Sequence, residues 1–267
     1  MKAEDLKLIV KEKYGEIAHQ SKQFNEASCC GSTGCCDTVD YAVFADDYKD
    51  LEGYNSDADL GLGCGLPTQY AGISKGNAVL DLGSGAGNDC FVARSLVGEE
   101  GHVTGLDFTD AMLAKARENA KKLNFSNVEF VKGDIEEMPL KDSNFDVVVS
   151  NCVLNLVPNK EKAFAQIHRV LKSGGHFSIS DVVLEGELPL NLKNAAEMYA
   201  GCVSGAIQKN DYLKVITDTG FKKVEVKKEK LISIPDEVLL KYISEEEIAV
   251  LKEKGTGIYS ITVVGVK

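Results

Sequence analysis

The chain has 267 residues, 44% hydrophobic and 27% charged, an ordinary globular composition that excludes disordered and fibrous classes. Acidic side chains outnumber basic ones 41 to 30, and this net charge of −11, with no local basic patch, argues against a nucleic-acid partner. No apolar run approaches the roughly 20 residues that span a bilayer, and the N-terminus has no signal-peptide core, so a cytoplasmic setting without a membrane partner is expected.

Leu6, Leu8, Ile9 and Val10 among charges predict a short amphipathic helix over 2–13. From Tyr14 to Gly72 the chain is rich in Gly, Asp, Ser and Tyr with little periodicity. So long an irregular stretch predicts a functional cap rather than a connecting loop. An apolar run over 78–82 then ends in a glycine turn, and predicted elements follow in alternation: helix 88–97, strand 102–107, helix 109–123, strands 128–131 and 145–150, helix 160–171, strand 176–180. Strands alternating with helices specify an α/β fold with a mostly parallel sheet covered on both faces. Beyond residue 184, helices near 191–201 and 210–219 precede strands over 223–226 and 259–266 that extend or close the sheet. The expected organisation is a cysteine-rich cap over 1–73, a ligand-binding core over 74–184, and a part over 185–267 that completes the sheet.

There are eight cysteines: Cys29, Cys30, Cys35, Cys36, Cys64, Cys90, Cys152 and Cys202. A chain this long needs no disulfide staples, so metal or metalloid ligation, catalysis or burial are the better readings. The crowded run from Cys29 to Cys36 lacks the paired C-x2-C spacing of a zinc ribbon, which leaves a redox or ligand-delivery role, or a thiol-rich loop. Cys90, on the helix after the glycine turn, reads as packing.

The turn reads Asp81-Leu82-Gly83-Ser84-Gly85-Ala86-Gly87-Asn88-Asp89. Glycines let backbone approach a ligand closely, and the helix start offers unpaired N–H groups. A dinucleotide fingerprint would need glycine where Asn88 stands, and Asp81 would face a pyrophosphate poorly. A cofactor with a cationic or neutral amino-acid tail suits the site better. Asp107, ending the second strand, is placed to accept hydrogen bonds from ribose hydroxyls, while Asp134 and Ile135 offer a carboxylate and an apolar surface for an adenine ring.

The ordered runs VLDLGSGAGND, GLDFTDAML, VKGDIEEMPL, DVVVSNCVLNLVPNK and VLKSGGHFSISDV resemble the class I S-adenosylmethionine-dependent methyltransferases over roughly residues 75–183. That resemblance implies a Rossmann-like seven-stranded sheet with a final antiparallel strand, beneath an irregular N-terminal cap. It also implies that Gly83, Gly85 and Gly87 line the methionine moiety of S-adenosylmethionine. Asp107 would then bind the ribose and Asp134 the adenine amine, with Asn151 beneath the cofactor. The contexts GCGLP around Cys64, SNCVLNLVP around Cys152 and AGCVSGA around Cys202 resemble the arsenite methyltransferases, in which these three positions bind trivalent arsenic. Cys29 or Cys30 resembles an upstream cysteine that helps deliver the metalloid; Cys35 and Cys36 match no family role.

Trivalent arsenic is a soft acceptor, matched by thiolates. Three sulfurs in a pyramid leave a lone pair at the apex, a nucleophile that needs no general base, and the four histidines show no pattern of one. The expected reaction is arsenite methylation, with methylated arsenicals as products and a thiol reductant such as glutathione or thioredoxin as partner. A methyltransferase of a small organic acceptor, or a non-enzymatic metalloid-binding protein, are the alternatives; the glycine turn and strand-end aspartates argue against the latter.

Overall fold

A computed structural model of the chain describes residues 3–20, 47–189, 205–232, 236–240 and 242–267, with the side chains of 237 and 238 left aside. Cys29, Cys30, Cys35, Cys36 and Cys202, and the helix expected near 191–201, lie outside the described residues.

Seven strands form one sheet: β1 (Ala78–Leu82), β2 (His102–Asp107), β3 (Val128–Lys132), β4 (Phe145–Asn151), β5 (Leu171–Glu185), β6 (Lys222–Leu231) and β7 (Gly257–Val266). Their order is β3-β2-β1-β4-β5-β7-β6. Strands β1 to β5 pair in parallel, and β7 runs antiparallel between β5 and β6. The expected α/β sheet with a final antiparallel strand is therefore present. The order reverses between β1 and β4, the place where a crevice opens at the carboxyl ends of the strands.

Alternation of side chains sorts the sheet into two cores. Leu80, Leu82, Val148 and Ile179 face one side, packed by Phe164 and Ile167 of α5 (Lys160–Val170) and by Tyr212 and Ile216 of α6 (Lys209–Asp218). Val79, Val103, Val147 and Val149 face the other. There they meet Phe91 and Val97 of α3 (Asn88–Val97), and Met112, Leu113 and Ala116 of α4 (Asp110–Lys122). The central run Val147-Val148-Val149 is buried on both faces, as a strand between two helical layers must be.

Three elements run longer than periodicity implied. Helix α1 (Ala3–Ile17) continues through Tyr14 because Tyr14, Ile17 and the following Ala18 pack on the core beside α4. Strand β5 is 15 residues long rather than five. Its pairing with β7 runs from His176↔Val266 to Glu185↔Gly257, which holds the stretch beyond Ser180 extended. Strand β6 reaches Leu231 by pairing with β7, and its lysine-rich exposed positions protect a sheet edge. A short α2 (Pro67–Tyr70) begins on proline, which suits a first helical turn. Helices α7 (Asp236–Leu239) and α8 (Glu245–Glu253) lead into β7, α8 opening with a capping box between Ser244 and Glu247. No described helix is long and apolar enough to cross a membrane.

Candidate active site

The crevice at the strand ends is an open cavity whose empty space, open solvent included, is about 910 Å³. Of the residues expected to hold a cofactor, Asp81, Gly83, Gly85, Asp107, Ile135 and Asn151 line it, as does Cys152. Gly87 and Asp134 do not line it. Gly87 caps α3 in the left-handed region (φ 99°), where a Cβ would press on the Phe91 and Phe130 rings, so its role is local packing. The Asp134 carboxylate is instead engaged by Lys7 of α1 at 2.6 Å.

The glycine turn holds backbone close to the crevice. Gly83 (φ 67°) leaves no room for a Cβ, which would lie 2.4 Å from Val153. The Gly85 amide donates to Asp107 Oδ2 at 3.0 Å and the Thr109 amide to Oδ1 at 2.8 Å, so the Asp107 carboxylate is fixed with lone pairs to spare for hydroxyl donors. Two buried polar atoms in the wall, Ser84 Oγ and Asn88 Oδ1, have no hydrogen-bond partner among the described residues, which suits a polar ligand.

Four carboxylates, Asp59, Asp81, Asp89 and Asp107, line the cavity, and no Lys, Arg or His does so among the described residues. Burial raises Asp107. Burial and the neighbouring Asp89 charge push Asp81 well up; Asp89 rises to about 6, mainly through burial, against hydrogen bonds from Asn151 and Tyr48. A cavity of this sign favours a ligand with positive charge and disfavours phosphates. Cys90 is buried as expected but also makes a polar contact: its thiol donates to Asp81 Oδ2 at 3.2 Å, and burial raises its pKa well above the usual thiol range, so it is a poor nucleophile.

Tyr48, Asp89 and Asn151 form a buried network that joins the cavity to the cysteines. The Tyr48 hydroxyl donates to Asp89 at 2.9 Å, and Asn151 Nδ2 donates to Asp89 at 3.1 Å and to the Gly65 carbonyl at 2.9 Å. Asn151 Oδ1 accepts the Cys64 amide at 3.0 Å, and the Cys64 carbonyl accepts from Ser260 at 2.5 Å. Gly63 permits this approach, since a Cβ there would lie 2.6 Å from Asn151 Nδ2. Cys152 follows β4 with φ 59°, a left-handed conformation rare outside glycine, held by its amide donating to the Ser180 carbonyl at 2.8 Å.

Cys64 and Cys152 are both buried as thiols in one small cluster with Val182, Leu184, Ala206 and Ile258. Beside them, the buried Tyr212 hydroxyl donates to Asp181 at 2.9 Å. Its pKa is pushed up by burial first, then by Asp181, with further contributions from Cys64 and Cys152, which places both cysteines within electrostatic reach of one hydroxyl. Among the described residues no three His, Cys, Asp or Glu side chains converge to hold a metal ion. Sequence reading missed Tyr48, because it lies in a stretch without periodicity, and Asp89, although a carboxylate in the first turn of a helix after a glycine loop is itself a signal.

Known proteins share this domain. Residues 73–220 match the methyltransferase domain family. The arsenite methyltransferase of Halobacterium salinarum is 40% identical over 84% of this chain and 59% of its own length, and the human arsenite methyltransferase is 38% identical over 62% of this chain and 47% of its own. This chain thus spans roughly half to three fifths of those relatives. The crystal structure of an arsenic(III) S-adenosylmethionine methyltransferase from Chlamydomonas reinhardtii superposes with a TM-score of 0.65 at 37% identity, covering 77% of this chain and 67% of that one. With more than half of its length matched to that domain, and with a relative of this identity covered over two thirds, the chain belongs to the methyltransferase domain family, in its arsenite methyltransferase branch.

Proposed function

We propose that the protein transfers methyl groups from S-adenosylmethionine to trivalent arsenic held by Cys64, Cys152 and Cys202. The observation that carries this reading is the placement of two thiols in one buried cluster at the lip of an acidic crevice, with Cys152 belonging to both. Cys202 precedes Gly205 by three residues, a span of at most about 10 Å. Gly205 itself lies against the turn that follows Cys152, where a Cβ would come 2.0 Å from the Asn155 carbonyl. Gly205 thus brings the segment that follows Cys202 to the turn after Cys152.

The crevice residues suit the cofactor's charge and shape. Asp81 and Asp89 would face its cationic groups, Gly83 and Gly85 would admit the methionine moiety, Asp107 would accept from the ribose, and Ile135 would cover the adenine. When bound, S-adenosylmethionine supplies an electrophilic methyl group. The chain's own work is to hold arsenic in place, with its lone pair exposed and no proton to remove, and to keep water from the thiols with the apolar cluster of Val182, Leu184 and Ile258. Holding the two reactants in line is worth up to roughly 7–11 kcal/mol. Asn151 would position both thiol-bearing segments at once. In the division of labour we propose, residues 1–73 cap the site, 74–184 bind the cofactor and 185–267 complete the metalloid cup.

Cys29 or Cys30 would help deliver the metalloid, and glutathione or thioredoxin would keep the thiols reduced, which fits the cytoplasm. Incubation with arsenite, a thiol reductant and S-adenosylmethionine tests the proposal. S-adenosylhomocysteine should form only with arsenite, alongside methylated arsenicals, and Cys152→Ser should abolish it. Turnover without arsenite, or turnover that survives Cys152→Ser, would refute the reading.

A further inference from the structure

The turn after β3 carries two carboxylates that reach one cation. Lys7 of α1 lies 2.6 Å from Asp134 Oδ2 and forms a second, shorter ion pair with Glu136. The receiving side is held by the core: Glu136 Oε1 accepts the Asn159 amide at 2.7 Å, and Asp134 Oδ1 accepts the Glu136 amide at 2.8 Å. Glu136 is 8% exposed, while Lys7 at 30% and Asp134 at 41% stay open enough to solvent for salt to weaken the contact.

Lys7 shares a helix face with Val10 and Tyr14, three and seven positions on, and both of those side chains line the cavity. Past the other end of α1, Lys115 Nζ donates to the carbonyls of Ala18 at 3.1 Å and Gln20 at 3.4 Å, while Tyr14, Ile17 and Ala18 pack on the core. The helix is therefore pinned at both ends and crosses the cavity between its pins. The pins are unlike. One is a buried apolar anchor, and the other is a single lysine on two carboxylates. The outward face of α1 leaves Leu8 and Ile9 exposed, and a helix of 15 residues has little stability of its own in water. Breaking the ionic pin removes both carboxylate contacts of Lys7 from that end of the helix.

We propose that α1 is a strap across the cofactor crevice and that Lys7 is its latch, the positioning residue that sets how fast the bound ligand leaves. This rests on the cofactor reading given above. By taking one oxygen of Asp134, Lys7 also fixes the orientation of that carboxylate beside Ile135, the apolar residue in the wall.

The test is the dissociation rate of S-adenosylhomocysteine from the full chain, followed by surface plasmon resonance. Lys7→Ala should accelerate release about tenfold and change association little, whereas Lys7→Arg should keep release slow. Added salt should speed release from the parent chain but not further from Lys7→Ala, a response that mere loss of packing does not give. Lys214→Ala, which removes an exposed pair with Asp218 within α6, should change nothing. Glu136→Gln, which keeps an acceptor for the Asn159 amide and removes the charge that Lys7 meets, should also speed release, and it decides the matter if Lys7→Ala proves poorly folded. Release from folded Lys7→Ala, or from Glu136→Gln, as slow as from the parent would overturn the latch and leave the cofactor site standing. A parent chain that binds no S-adenosylhomocysteine would overturn both.

Discussion

Asn151 accepts the amide of Cys64 through its side-chain oxygen at 3.0 Å, so the residue that precedes one thiol holds the backbone of the other. Its Nδ2 reaches Asp89 in the cavity wall, and one side chain therefore spans both halves of the site. Replacing it with leucine strips partners from the Cys64 amide, the Gly65 carbonyl and Asp89 together. The expected cost is about 2–3 kcal/mol in urea denaturation, with a loss of arsenite-dependent turnover larger than the loss of cofactor affinity.

Cys152 sits at φ 59°, where a Cβ is strained and glycine is not. Cys152→Gly should therefore be more stable than Cys152→Ala by about 1 kcal/mol, although both lose the sulfur. Thermal denaturation of the pair checks this, and both variants should be inactive toward arsenite. An alanine variant as stable as the glycine variant would show that the conformation carries no strain.

Cofactor affinity should depend on pH through Asp89, whose carboxyl is raised to about 6 by burial. A cationic ligand favours the ionised carboxylate, so binding of S-adenosylhomocysteine, which carries an ammonium group, should tighten as pH rises from about 5 to about 7. Asp89→Asn should flatten that dependence. Calorimetric titration across this range reads it directly.

Asp181, whose partner Tyr212 lies beside the two buried thiols, offers a stability measurement. Burial raises it to about 6 against Lys160, the Tyr212 hydroxyl and the amides of Val182 and Asn155. A carboxyl whose folded pKa exceeds its unfolded value stabilises the fold below the unfolded pKa and loses that contribution as pH rises through the folded one. The parent chain should therefore lose stability from this group between about pH 4 and about pH 6. Asp181→Asn should gain relative to the parent by up to about 3 kcal/mol over that interval, seen as a change in the difference of their denaturation midpoints.

The extent to which the molecule was legible follows from where local pattern carries the information. The βα repeats from Ala78 to Val170 announce themselves because each strand is short and apolar and each helix has a clear face. The full length of β5 did not, since the stretch past Ser180 is extended through pairing with the ten-residue β7. The glycine turn and Asp107 could be read as a ligand site from their chain positions. Asp134 could be placed at a strand end in the same way, but its partner Lys7 lies 127 positions away in a helix whose latch has no sequence signature. Tyr48 and Asp181 were silent for a related reason: each matters only through a neighbour that folding brings to it.

The account stands on sulfur coordination, and X-ray absorption at the arsenic edge, on the chain loaded with one equivalent of arsenite, addresses it without intermediary. Three sulfur neighbours in the parent chain, falling to two with an oxygen in the Cys202→Ser variant, is the predicted result. A first shell dominated by oxygen, or one unchanged by substitution of Cys64, Cys152 or Cys202, would contradict it.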